Sequence, residues 1–407
     1  MLFLHFRLKK FIFFIYLFLF TALSYAYPTP ISLSDDFAEK SIGEYFAYFV
    51  DKNELHLGIE EISKQRFDSL SYKRHILNFD FINFNHSQKV IWLKFQVKAQ
   101  RLSPDKHFFL EIKSPLLDQI EFYHFLDDAN KWKGQVTGGH YPLRKRLFEH
   151  RTYIFDLHVK PSHLNTYYLK VTTADMMTVY PILYERNAFV RQALNEQMGF
   201  GTLYGLLFAI FIINLMFGFW YKKNIYTLFV AIILVGILII VRINGHSYVY
   251  LWAGMPWWEN RALPMLILGF VILLSLFSFK LLSNIIKEQI LYYSILFNIL
   301  LSVVLLVITL YDPTSWVIST ATLIGLFNVL AVFLTSIYEI LRGEPEKDYF
   351  VTASYLLFIG VLLTFFRFFD IIETGSFLGT YGFEIGFIVF IALTTISLRI
   401  RKKNREI

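Results

Sequence analysis

Gly201-Thr-Leu-Tyr-Gly-Leu-Leu-Phe-Ala-Ile-Phe-Ile-Ile-Asn-Leu-Met-Phe-Gly-Phe-Trp220 carries no charged side chain, and its only amide side chain is Asn214. As a helix rising 1.5 Å per residue it covers ~30 Å, the thickness of a bilayer's hydrocarbon layer. Inside lipid every backbone N–H and C=O must be satisfied within the segment, so the stretch reads as a spanning helix. Six more blocks of the same kind follow. The seven lie near 198–220, 225–243, 262–282, 289–310, 315–340, 350–369 and 379–399. The membrane half is therefore expected over 197–399, with a short basic tail at 400–407.

Upstream the pattern changes. Val90-Ile-Trp-Leu-Lys-Phe-Gln-Val97 alternates toward its end with period two, as do the runs His107 to Lys113, Gln119 to Phe125, Thr152 to Val159 and Tyr167 to Thr173. Asp-, Asn-, Gly- and Pro-bearing breaks separate them. Such spacing predicts an antiparallel β-sandwich over 27–190. Ahead of it, Arg7, Lys9 and Lys10 precede the apolar Phe11 to Phe20, and Ser24-Tyr25-Ala26 offers small residues at a cleavage site. Residues 1–26 are thus expected to be a signal peptide.

Charge supports the division. The formal +7 falls to +4 without the leader, and Tyr27 to Glu196 holds 22 basic and 21 acidic side chains, which gives no basis for a nucleic-acid partner. With no cysteine in the chain, disulfides and thiolate chemistry are excluded. Lys222, Lys223, Lys280, Lys287, Arg342, Lys347, Arg399, Arg401, Lys402, Lys403 and Arg405 fall on one side of the expected spans. Only Arg242, Arg261 and Arg367 fall on the other. Basic loops stay in the cytoplasm, which predicts an exported sandwich and a cytoplasmic C-terminus in a bacterial inner membrane.

From Gly199 onward the chain resembles the bacterial seven-transmembrane receptors with diverse intracellular signalling modules. The resemblance rests on Gly201-Thr-Leu-Tyr204-Gly205-Leu-Leu-Phe-Ala209, Asn214, Asn244-Gly245, Tyr250-Leu251-Trp252, Glu259-Asn260-Arg261-Ala262, Arg342-Gly343, Tyr349-Phe350 and Gly382-Phe-Glu384-Ile-Gly386. The exported part is similar to that family's type 2 extracellular domain through Ile91-Trp92-Leu93-Lys94-Phe95, Ser114-Pro115-Leu116-Leu117-Asp118-Gln119-Ile120-Glu121, and Arg146 and Arg151 ahead of Tyr153-Ile154-Phe155. The resemblance implies an N-terminal all-β jelly-roll-like sandwich, related to carbohydrate-binding modules, followed by an α-helical seven-transmembrane bundle. Family members usually continue into an enzymatic output module. Here nine residues follow Leu398, so the expectation is a non-enzymatic chain that relays through a separate cytoplasmic protein.

The candidate sites follow from chemistry. Gly201-x-x-x-Gly205 and Gly382-x-x-x-Gly386 let helix backbones approach closely and are expected to serve the packing of the first and last spans. Arg242, Arg367, Asp370 and Glu384 are ionisable groups at or near membrane depth, where such groups face the bundle interior and pair. Arg367 and Asp370 could share one helix face, and Glu384 reads equally as structural or signalling. Asn214, Asn298 and Asn328 suit interhelical hydrogen bonds. In the sandwich Trp92 could stack on a sugar, although its alternating strand favours the core. Arg146 and Arg151 could fork a carboxylate or phosphate, or brace the domain against acidic partners, the reading the sequence favours. His140, His150 and His158 lack metal-ligand spacing, and no cofactor is implied. The favoured function is a sensor of a periplasmic small molecule, with carbohydrate as one candidate class. A transporter with a capture domain and a truncated receptor remnant are the alternatives.

Overall fold

The structure is a computed structural model describing residues 28–51, 57–69, 82–84, 90–99, 101–126, 130–173, 177–282, 289–311, 315–341, 348–368 and 377–406. The expected leader, Asp370, Lys287, Arg342 and Lys347 lie outside the described residues.

The exported half is a two-layer sandwich. Its larger sheet orders β4(Asp68–Ser69), β3(Ala47–Asp51), β6(Val90–Ala99), β11(Leu164–Thr172), β8(Gln119–Leu126) and β9(Lys131–Thr137), and β1(Ile31–Leu33) adds parallel to β6. Strand β6 shows why: Ile91, Leu93, Phe95, Val97 and Ala99 all point into the core, while Lys94, Gln96 and Lys98 alternate outward. On β11, Leu169 lies opposite Leu93 on one side and Phe122 on the other. The facing sheet orders β10(Tyr153–Leu157), β7(Phe108–Ile112), β13(Pro181–Glu185) and β2(Glu39–Ser41). A short pair joins β5(Ile82–Asn83) to β12(Thr178–Val179), and a single helical turn, α1(Ile59–Ile62), lies ahead of β4.

Every residue of β7 and β13 is buried. Leu110, Ile112 and Leu183 fill the sandwich core, while Phe109, Ile182 and Tyr184 on the reverse face pack with Ile154 against Ala188 and Phe189 of the first long helix. Strands covered on both faces read as near-continuous apolar runs rather than alternations.

That helix, α2(Arg186–Tyr221), begins at the residue after β13. Glu185 caps it, its carboxylate accepting the N–H groups of Asn187 at 2.9 Å and Ala188 at 3.3 Å. Thirty-six residues make a helix of ~54 Å, longer than a bilayer core, so its first turns belong to the sandwich and the remainder crosses. Then come α3(Asn224–Ile243), the short α4(His246–Tyr250), α5(Pro256–Leu281), α6(Gln289–Tyr311), α7(Ser315–Leu341), α8(Asp348–Phe368) and α9(Phe377–Glu406). Among the described residues seven helices are long and apolar enough to cross a membrane: α2, α3 and α5 to α9. Phe229, Phe277, Phe350, Phe387 and Phe390 form the centre of their packing.

Candidate functional site

The sandwich rests on the exported end of the bundle through a polar joint. Span α3 stops at Ile243 because Gly245 turns the chain with φ 79°, a left-handed conformation that suits glycine. A Cβ at Gly245 would stand 2.5 Å from Cβ of Pro115 and 2.9 Å from the carbonyl oxygen of Arg151. The sandwich loops therefore touch the backbone of the turn itself.

Arg151 occupies the centre. Its guanidinium pairs with Glu196 on α2, donates to the Asn244 carbonyl at 3.4 Å, and lies 5.0 Å from the Phe200 ring centre. Lys113 from the sandwich also pairs with Glu196. Behind them Thr152 donates to Glu111 at 2.5 Å, and burial pushes the Glu111 carboxyl up. Burial, with Arg151 adding to it, pushes the His150 imidazole down to about 4, and His246 likewise to about 4.

From Asn244 the network enters the bundle. The Asn244 amide donates to its own helix at Ile240 (3.0 Å) and to Glu384 Oε1 on α9 (3.3 Å). Arg367 on α8 interacts electrostatically with Glu384 and reaches the Thr380 carbonyl at 3.5 Å. A continuous run of polar contacts thus leads from the sandwich to α2, α3 and α9. Buried polar groups cost energy unless they are paired, so a row of them fixes a specific arrangement of the parts it joins.

Beside it lies a second contact. Arg146 donates to the His150 carbonyl at 2.5 Å and lies over the rings of Tyr153 (4.6 Å) and Tyr248 (5.3 Å). Tyr248 of α4 donates to the Tyr141 carbonyl at 2.7 Å, and Tyr153, pushed up to about 12 by burial, donates to the Leu117 carbonyl at 2.8 Å. Below it Arg242 of α3 pairs with Glu259 of α5 at 3.3 Å, and Trp252 donates to the same carboxylate at 2.6 Å.

The sequence candidates divide accordingly. Arg151, Asn244, Glu384 and Arg367 come together, with Arg146 and Arg242 in the adjoining contact. The acid that braces Arg151 is on α2 rather than in the sandwich. Trp92 is 1% exposed on the outer face of the larger sheet, stacked on Tyr123 at 5.7 Å, and offers no open ring face to a sugar. Asn214 accepts from Thr395 on α9 at 3.1 Å, Asn328 donates to Ser275 on α5 at 2.6 Å, and Asn298 bonds within its own helix.

The expectation that both glycine pairs serve helix packing is corrected for Gly201 and Gly205. A Cβ at Gly201 or Gly205 would meet nothing within 4 Å, because that face of α2 points away from the bundle. Gly382 and Gly386 instead approach Gly360 of α8, where a Cβ would stand 2.5 Å from the Gly382 carbonyl oxygen.

Sequence reasoning missed Glu196 and His246 as members of the joint, and left Asn244 and Gly245 as marks of resemblance. A signal existed: Glu196 is the last acid before a run free of charge, and Asn244-Gly245 is a helix stop directly after a span.

Comparison with known families gives two matches. The family described as 7TM diverse intracellular signalling matches residues 196–401, and the one described as 7TMR-DISM extracellular 2 matches residues 43–185. A comparison with curated proteins gives no match. The two matched stretches are the two halves that Arg151 and Glu196 join, and the first covers half of the chain. The chain belongs to the seven-transmembrane family of diverse intracellular signalling and carries that family's extracellular 2 domain ahead of its bundle.

Proposed function

We propose that the chain is a receptor of a bacterial inner membrane. Its sandwich binds a small periplasmic molecule, with carbohydrate the class the resemblance implies, and the change passes through the joint to the bundle and on to a separate cytoplasmic protein. The observation that carries this reading is Arg151, one sandwich side chain bound at once to α2 through Glu196 and to the α3 turn through Asn244. A ligand shifts such a system only by its preference for one arrangement of the joint. Orientation follows the basic residues: Lys222, Lys223 and Arg399 share one end of the bundle, opposite the sandwich. A cytoplasm-active reporter fused after Ile407 should be active, and a silent one reverses the topology.

The relay is tested in the full chain in lipid nanodiscs, titrated with a panel of neutral and acidic oligosaccharides. The chain has no cysteine, so spin labels at Trp220→Cys and Ile396→Cys report the α2–α9 distance without background. A binder should raise the melting temperature and shift that distance in the wild type. Arg151→Gln should retain binding and lose the shift. Binding with no shift in the wild type retires the relay.

A further inference from the structure

His246 opens α4 and is 2% exposed. Its ring packs edge-on against Phe200 at 4.7 Å and parallel to Tyr250 at 6.0 Å, and Nδ1 meets the Tyr204 hydroxyl at 2.9 Å. Nε2 is buried without a hydrogen-bond partner among the described residues. From the sandwich, Arg151 and His150 face it. The carboxylate beside them is Glu196, which Arg151 and Lys113 already share. His150 is held in a similar way. Its Nδ1 lies 2.8 Å from the Thr152 hydroxyl and 3.3 Å from the Thr152 backbone nitrogen, and Arg151, Arg146, Lys113 and Glu196 surround the ring. The joint is built around two neutral imidazoles in a place already supplied with three cations.

We propose that this joint is an acid-released latch: protons taken up by His246 and His150 add two cations around Arg151, and the turn between α3 and α4 parts from the sandwich loops. The latch rests on the receptor reading only for what its opening signals.

The sign follows from proton counting. The closed joint holds both rings down to about 4, against an ordinary 6.5, so it binds fewer protons than the open one and acid favours opening. Above pH 6.5 both rings are neutral in either state and closure is unaffected. Between 6.5 and about 4 each histidine weakens closure by up to about tenfold per pH unit. Glu111, which burial pushes up, has the opposite sign. It lies on β7 beneath α2, whose Ala188 and Phe189 remain buried against Phe109, Ile154, Ile182 and Tyr184, so parting the α3–α4 turn leaves its surroundings unchanged.

The test uses the full chain in nanodiscs with spin labels at Lys145→Cys on the sandwich and Leu251→Cys after α4, both exposed positions. From pH 7.5 to 4.5 the wild-type distance should lengthen with a midpoint between 6.5 and about 4, while circular dichroism shows the sandwich still folded. His150→Asn with His246→Asn should hold the short distance to pH 4.5, and His246→Asn alone should make the opening less steep. A wild-type distance that stays constant to pH 4.5, or a double variant that opens like the wild type, overturns the latch. A joint that stays closed in acid while an oligosaccharide still moves the α2–α9 labels removes the latch and leaves the receptor reading. Acid opening without any sugar response does the reverse.

Discussion

Gly360, Gly382 and Gly386 bring the backbones of α8 and α9 together, and the atoms a Cβ at Gly360 or Gly386 would strike first are themselves backbone: the Gly382 carbonyl oxygen at 2.5 Å and the Leu356 carbonyl oxygen at 2.7 Å, respectively. Backbone cannot turn aside as a side chain can. Gly360→Ala and Gly386→Ala should each destabilise the bundle by about 1–3 kcal/mol in detergent melting, and Gly201→Ala and Gly205→Ala should leave it within about 0.5 kcal/mol. Equal losses at all four positions would show that α2 has a close partner too. The sequence presents both pairs with the same spacing, and nothing within either pair says which one faces a neighbour. That depends on Gly360, far away in the chain. Glu384 poses a related question. Glu384→Gln keeps an acceptor for Asn244 and should melt within about 1 kcal/mol of wild type. Glu384→Leu strips both Asn244 and Arg367 of their carboxylate and should cost roughly 1–3 kcal/mol. Equal melting of the two variants would mean that the contact with Asn244 contributes nothing to the bundle.

At the scale of elements, what could be read depended on how many faces a segment buries. Strands β6, β8 and β11 bury mainly one face and alternate, so period two reveals them. Strand β13, Pro181-Ile-Leu-Tyr-Glu185, is buried on both faces and passes directly into a helix, which leaves no alternation and no break to read. Edge strand β9 carries exposed lysines around Trp132 and Gly134, so its composition reads as loop. The spans were legible because a bilayer demands length and apolarity at once, yet α2 begins at Arg186, twelve residues before its apolar block near 198. The intervening turns mix Ala188, Phe189, Val190, Ala193 and Leu194 with Arg186, Asn187, Arg191, Gln192, Asn195 and Glu196, too polar a mixture for a hydropathy window. Glu185 marks the transition, and its two accepted N–H bonds tie the strand's end to the helix's start. Glu185→Ala should cost about 1 kcal/mol of local stability, the usual worth of an N-cap. Hydrogen exchange at the Asn187 and Ala188 amides should accelerate while exchange in the α5 interior stays constant. Unchanged exchange at those two amides would show that the cap contributes nothing.

For the molecule as a whole, the extracellular 2 match ends at Glu185, the last residue of β13, and the seven-transmembrane match begins at Glu196, inside α2, so the boundary of the sandwich as a physical object differs from its boundary as a sequence. The reverse face of the smaller sheet, Phe109, Ile154, Ile182 and Tyr184, is covered by the first turns of α2 through Ala188 and Phe189. Burying an aromatic side chain contributes roughly 1.5–3 kcal/mol, so removing Phe189 forfeits about that much and also leaves an apolar strip facing water. The joint with the bundle is different in kind. Its sandwich side presents Lys113, Arg146, His150 and Arg151, groups that water can solvate once the helices are gone. The domain should therefore tolerate loss of the bundle but not loss of the start of α2. A fragment of residues 28–197 should be soluble and monomeric in light scattering, with a β-dominated circular dichroism spectrum and a single cooperative melt. A fragment of residues 28–184 should associate through the uncovered strip and melt at a lower temperature. If the shorter fragment stays monomeric and melts with the longer one, the helix is only a tether. In that event a displacement of the sandwich would not be carried rigidly into α2, and Arg151 would be left as the principal mechanical link between the two halves.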